Sequence, residues 1–390
     1  MKAASCAGLS DTGQPWAKEK NRVPKQVEVR YPTDSLVATE IAQQPALWPT
    51  TLERVLSAGL AQQFDGLPVI LTGAGTSAYA AQAIADAWPG ARAIPTTDLL
   101  LLSASEVELA VPSFAQGGWL ISIARSGDSP ESAAVVERVK RFFPAVRHLA
   151  IVCNADGRLA RTPGVQAICL DPRTNDRSLA MTSSFSNLVL GGLALLHGPQ
   201  IAEHLPAICS RVAGRLPELN TTAETIVRSC RDRVVLLASG MRALTWEASL
   251  KVVELTAGRV MAMPETFLGL RHGPLSFVRE DTPVVCFASS DAGKRRYEEE
   301  LIDDLSKRGL GKLAVIGDNA CSLWHHDWFV QASTSALPDR LRIPFEIPFA
   351  QLLAYHLSLH AQVNPDNPSP GGAITRVVQA FNIHQEAGDA

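Results

Sequence analysis

The chain has 390 residues and a mass of 41.8 kDa, with 46% apolar and 19% charged residues. At roughly 150 residues per domain this predicts two domains with ample material for a packed core, and it excludes global disorder. Lysine and arginine total 36 and aspartate and glutamate 39, a net charge of -3 and a pI near 6.3, which excludes a dedicated nucleic-acid-coating protein.

Residues 1–33 are polar and turn-rich and are expected to form an arm. The opening MKAASCAG lacks the apolar stretch of roughly 7–15 residues that a secretory signal needs. Residues 34–64 look helical, broken near Pro45 and Pro49. The longest apolar run, Leu188 to Leu196, is far short of the ~20 residues of a bilayer helix. A cytoplasmic location with no membrane or nucleic-acid partner is therefore expected. The 7 cysteines are odd in number, scattered and without a CxxC pair, so they are read as buried small hydrophobes rather than a zinc site or disulfide framework.

From residue 69 the chain repeats itself. VILTGAGTSAYAAQAIADAW at 69–88 matches VVLLASGMRALTWEASLKVVEL at 234–255: an apolar strand, a glycine turn, then a helical pattern. WLISIARS at 119–126 matches PVVCFASS at 283–290, and LAIVCNAD at 149–156 matches LAVIGDNA at 313–320. Three matched units in one order imply two copies of one αβ domain. The strands are continuous apolar runs, as in parallel sheets covered by helices on both faces. The expected division is an arm and helix over 1–49, a first domain over 50–205, a second over 215–365 and a tail over 366–390. The proline-bearing segment 198–225 is read as a hinge whose middle is helical.

In parallel αβ sheets ligands bind at the carboxyl ends of the strands. After the first strand, Gly73-Ala74-Gly75-Thr76-Ser77 opens a helix, and two glycines with two hydroxyls at a helix start suit a phosphate. Helix capping by Ser77 explains the same residues equally simply. Arg125-Ser126-Gly127-Asp128-Ser129-Pro130 follows the next strand, with Ser129 placed as N-cap and Pro130 as first helical residue. Neither loop carries a P-loop lysine, which argues against ATP hydrolysis. In the second copy Met241-Arg242 replaces Thr76-Ser77, so its own phosphate loop looks degraded. Its helix carries Glu247, Lys251 and Glu254, a candidate acid–base set. Their i,i+4 and i,i+3 spacings equally fit a solvated ladder of ion pairs. His272 follows in the loop GLRHGP. His356 and His360 share a helix face, and His325-His326 lie in a loop; without further ligands both pairs are read as packing residues, and no metal is expected.

The sequences GAGTS, SIARSGDSPES, ALTWEASLKVVEL and FLGLRHGP, in this order, resemble the SIS (sugar isomerase) domain proteins over about residues 50–365. The spacing from the helix glutamate to RHGP and the ending HAQVNPDNPSP look most like the AgaS-type branch, the galactosamine-6-phosphate deaminases and tagatose-6-phosphate ketose-aldose isomerases. The resemblance implies a tandem pair of flavodoxin-like three-layer αβα domains and a sugar-phosphate substrate, with no cofactor. It implies a phosphate held by Thr76, Ser77, Ser126 and Ser129, with Arg125 where the related glucosamine-6-phosphate synthase has glutamine. It implies Glu254 as the base that moves a proton between C1 and C2, with Lys251 one turn before it. It implies His272 as the ring-opening histidine, often supplied by a neighbouring subunit, hence a homodimer or higher homo-oligomer with shared sites. The synthase's imine-forming lysine has no counterpart between Asn364 and Arg376, and the stretch before the first copy is too short for a glutaminase, so Cys6 is not its nucleophile. A plain aldose–ketose isomerase and a non-catalytic sugar-phosphate-binding protein are the alternatives.

Overall fold

A computed structural model describes residues 35–332, 336–378 and 381–384; the expected arm at 1–33, with Cys6, lies outside the described residues. The fold is α/β and doubled. The first sheet comprises β1 (Val69–Thr72), β2 (Ala91–Ala93), β3 (Trp119–Ala124), β4 (Arg147–Val152) and β5 (Val165–Cys169), all parallel, in the order β2-β1-β3-β4-β5. The second comprises β6 (Arg233–Ala238), β7 (Met261–Glu265), β8 (Pro283–Phe287), β9 (Lys312–Ile316) and β10 (Trp328–Val330), all parallel, in the order β7-β6-β8-β9-β10. The two orders are the same. The three sequence matches fall on β1 and β6, β3 and β8, and β4 and β9.

The helices are α1 (Leu36–Ala42), α2 (Gln44–Ser57), α3 (Thr76–Asp86), α4 (Thr96–Leu99), α5 (Ala104–Ala110), α6 (Pro130–Phe142), α7 (Ser183–Val227), α8 (Arg242–Leu255), α9 (Phe267–Leu270), α10 (Ala292–Lys307) and α11 (Asp339–His360). Strand side chains alternate between faces. On β3, Trp119, Ile121 and Ile123 enter a large central core, whereas Leu120 and Ala124 pack with Val135 and Val136 of α6 on the outer face. On β8, Val285 and Phe287 enter the same central core, whereas Val284 and Cys286 pack with Leu301 and Leu305 of α10. Helices α2, α3, α7, α8 and α11 fill that core between the sheets. Burial of apolar surface from both sheets in one cluster makes the two copies a single packed body.

Two local expectations are corrected. Segment 198–225 is not a hinge but part of α7, one helix of 45 residues. Its buried Ile201, Leu205, Ile208 and Val212 follow helical spacing. Pro199, Pro206 and Pro217 all lie on its exposed face, away from the buried stripe that packs into the core. Between residues 34 and 64 the break falls at Gln43, before Pro45; Pro45 enters the first turn of α2, and Pro49 stays inside it.

The six described cysteines carry free thiols. Cys153 and Cys286 are fully buried, and burial pushes the Cys153 thiol up to about 12. Among the described residues no helix is long and apolar enough to cross a membrane.

Candidate active site

The carboxyl ends of β1 and β3 open into a cavity of about 710 Å³. One wall is the start of α3. Gly73 is required there because a Cβ would lie 2.5 Å from the Ser77 carbonyl, and Gly75 has a left-handed φ of 57° that a side chain would strain. No side chain caps α3; the Ser77 N–H instead bonds the Ala74 carbonyl at 3.1 Å and the Ala78 N–H the Gly75 carbonyl at 2.9 Å, and the positive end of the helix faces the cavity. Thr76 and Ser77 line the cavity at this point.

The adjoining wall is the loop after β3 and the start of α6. Ser129 is the N-cap and Pro130 the first helical residue, the expected arrangement. The Ser129 hydroxyl bonds the Ser132 hydroxyl at 2.7 Å instead of capping a backbone N–H. The Ser126 hydroxyl accepts from the Asp128 N–H at 3.2 Å. Ser126, Ser129 and Ser132 all face the cavity. Arg125 does too, but its guanidinium donates to the carbonyls of Ser178, Leu179 and Arg376. Burial, with the nearby Arg376 charge, lowers its pKa. Arg125 therefore ties the wall segments together through its donors.

The facing wall is the last turn of α8, where Glu254 lines the cavity. Behind it Lys251 is fully buried. Its ammonium lies 3.3 Å from Glu247 Oε1, donates to Thr76 Oγ1 at 3.0 Å and contacts the Glu254 carboxylate. Glu247 is also fully buried and accepts from the Thr76 hydroxyl at 3.4 Å. The solvated-ladder reading of this helix is thereby overturned: packing of α8 against α3 turns Glu247 and Lys251 inward, and only Glu254 of the three keeps substantial access, at 24%. Burial pushes the Glu247 carboxyl up to about 8, outweighing the adjacent Lys251 charge. Burial opposes the Lys251 charge, but the two carboxylates outweigh it and raise its pKa.

The C-terminal segment forms the remaining wall through Pro368, Ser369 and 373–378. It is anchored at both ends. The Asp366 carboxylate accepts from the backbone N–H groups of Leu36 and Val37 at the start of α1. The Arg376 guanidinium donates to the Asp176 carbonyl and to Asn175 Oδ1. The Asp176 carboxylate meanwhile accepts from the backbone and hydroxyls of Ser183 and Ser184 at the start of α7. Sequence reasoning missed Arg376 and Asp176. The sequence signals for this wall were the ending HAQVNPDNPSP, which contains Pro368 and Ser369, and the apolar Ile374 and Val377-Val378 beyond it.

The other candidates are dispersed. His272 is exposed after α9 and does not line this cavity. His356 is buried with Nε2 2.9 Å from Asn220 Oδ1, whereas His360 is exposed. His325 is exposed and pairs with Asp303, and His326 stacks on Phe329. Among the described residues no three His, Cys, Asp or Glu side chains gather as a metal site would require.

Two parallel sheets of the same order, with two serine-bearing helix starts facing a helix glutamate, define the class: the SIS phosphosugar isomerases. No family model matches the chain. It is 36% identical over 375 residues to the D-galactosamine-6-phosphate deaminase AgaS of Shewanella sp. (strain ANA-3), covering 89% of this chain and 91% of that one. It is 32% identical over 375 residues to the protein of the same name from Escherichia coli O157:H7, covering 90% of this chain and 96% of that one. The crystal structure of tagatose-6-phosphate ketose/aldose isomerase from Escherichia coli matches with a TM-score of 0.76 at 30% identity, over 86% of this chain and 96% of that one. The chain belongs to the AgaS family.

Proposed function

We propose that this chain is an aminosugar-phosphate deaminase/isomerase that converts galactosamine 6-phosphate and water to tagatose 6-phosphate and ammonia, with no cofactor. The names of its relatives support the substrate class. The observation that carries the chemistry is the placement of Glu254 on the same cavity as the starts of α3 and α6.

In this reading the helix starts, with Ser77, Ser126 and Ser129, bind the phosphate. Thr76 belongs to the same helix start, but its hydroxyl serves Lys251 and Glu247. Arg125 holds the surrounding wall. Binding of the remote phosphate positions the reacting carbons over Glu254. Glu254 removes the C2 proton of the open-chain sugar and returns a proton to C1 through an enolamine. The product is a ketose imine at C2, and water attacks that carbon to release ammonia. A positioned general base of this kind contributes typically ~10²–10⁴-fold. Lys251 supplies a fixed positive charge beside the Glu254 carboxylate. His272, exposed and away from its own chain's cavity, is assigned to ring opening in the site of a second copy, which makes the active unit at least a dimer.

A plain tagatose-6-phosphate isomerisation uses the same base without loss of nitrogen, and the name of the Escherichia coli structure favours it. Ammonia release separates the two. Galactosamine 6-phosphate, glucosamine 6-phosphate and N-acetylgalactosamine 6-phosphate are compared as substrates. Ammonia from the galacto amine in preference to the gluco amine supports deamination. No ammonia from any of them overturns it and leaves isomerisation.

A further inference from the structure

In the second half the two loops that correspond to the first half's cavity walls close on one carboxylate. The loop after β8 carries Ser289 and Ser290, at the offset of 164 that pairs them with Arg125 and Ser126. Lys294 is the third residue of α10, the place Ser132 holds in α6. Gly240, the partner of Gly75, lies so close that a Cβ there would sit 3.0 Å from Lys294 Nζ. The two loops that line the first half's cavity thus converge again in the second half.

At that convergence lies the side chain of Asp339, the first residue of α11, 5% exposed. Its carboxylate accepts from Ser289 Oγ at 2.5 Å, from the Ser290 N–H at 2.7 Å, from Ser290 Oγ at 2.8 Å and from Lys294 Nζ at 2.9 Å. Arg342 Nη2 stands 3.3 Å away. Two hydroxyls, a backbone N–H, an ammonium and a guanidinium around one anion are the donor set of a phosphate site. These bonds outweigh burial and hold the Asp339 carboxyl far below the usual carboxylate range. In the first half α7 begins at Ser183, no carboxylate among the described residues sits between the loops in this way, and Ser126, Ser129 and Ser132 line the cavity, as does Glu131.

We propose that the second half retains an anion-binding pocket for a phosphoryl group, formed by Ser289, Ser290, Lys294 and Arg342, and that the Asp339 carboxylate fills it as a built-in substitute for phosphate. This rests on the reading of the first half's loops as a phosphate site. The repeat would then have specialised by self-occupancy of one of its two sites, so that each chain takes a single sugar phosphate. Lys294, 42% exposed, marks the side from which an anion would enter once the carboxylate is gone.

The test is equilibrium dialysis of the full-length protein with inorganic phosphate. The wild type is expected to bind one phosphate per chain. Asp339→Ala, and Asp339→Ser as the milder variant, are expected to bind one more. Adding Lys294→Ala to either is expected to remove the extra site. Phosphate should also restore thermal stability to Asp339→Ser. Unchanged stoichiometry in both Asp339 variants overturns the proposal. A wild type that binds two, with one lost in Lys294→Met, also overturns it, and that measurement needs no Asp339 variant to fold. A wild type that binds none while Asp339→Ser binds one supports this pocket and contradicts the reading of the first half.

Discussion

Lys251 Nζ of the second half donates to Thr76 Oγ1 of the first at 3.0 Å, across the helix pair α3 and α8. One hydrogen bond thus connects the helix start on one wall of the cavity to the residue whose ammonium contacts Glu254 on the other. The same ammonium lies between Glu247, sealed from solvent, and Glu254, open to the cavity. The site consequently belongs to neither half alone.

Lys251→Met leaves Glu247 and Glu254 without their shared cation. Removing one partner of a buried ion pair typically costs about 3–5 kcal/mol. A lower urea midpoint together with loss of turnover is therefore expected. Adding Glu247→Gln removes the buried carboxyl left without its cation and should recover part of the midpoint but none of the turnover.

The Glu247 carboxyl, raised by burial to about 8 from 4.5, makes stability depend on pH. It holds its proton more tightly folded than unfolded. Its stabilising contribution is complete below about 4.5 and is lost as the pH rises through about 8. Urea midpoints at a series of pH values should fall across that window more steeply in the wild type than in Glu247→Gln. Parallel curves would contradict the assignment.

Ser77→Ala removes a hydroxyl from the α3 start. A hydrogen bond to a charged group contributes about 1.5–3 kcal/mol, or roughly 10–100-fold in affinity. Calorimetry with a sugar phosphate should show weaker binding at nearly unchanged thermal stability.

Arg376→Ala releases the far anchor of the C-terminal wall from Asn175 and Asp176. KM is expected to rise about tenfold, by loss of roughly one charged hydrogen bond's worth of ordering, with a smaller change in kcat. An unchanged KM would show that the wall at 373–378 does not contribute to binding.

The doubled architecture was legible because the repeat is carried by local features. Apolar strands and glycine turns such as Gly75 and Gly240 recur at a near-constant offset, and burial on two faces leaves β1, β3, β6 and β8 as largely apolar runs. The candidate site was legible where a loop feeds a helix start, as at Ser77 and Ser129, and at Glu254 among the three charged residues of α8. The pairing of Glu247 with Lys251 was ambiguous because helical spacing is the same for a solvated and a buried ion pair. Only the packing of α8 on α3 decides between them. Arg376 binds the Asp176 carbonyl 200 residues away in sequence, which no local pattern reveals. The continuity of α7 was not legible for a related reason: proline ordinarily breaks a helix, and only the packing of the buried stripe shows that this one runs through three of them.

The most direct test of the account is ammonia release from galactosamine 6-phosphate by the wild type and Glu254→Gln, with binding of the same compound measured in parallel. The account expects wild-type turnover, near-normal binding by the variant, and a loss of rate in the variant of about 10²–10⁴-fold. A variant that releases ammonia at close to the wild-type rate would contradict it and place the base elsewhere.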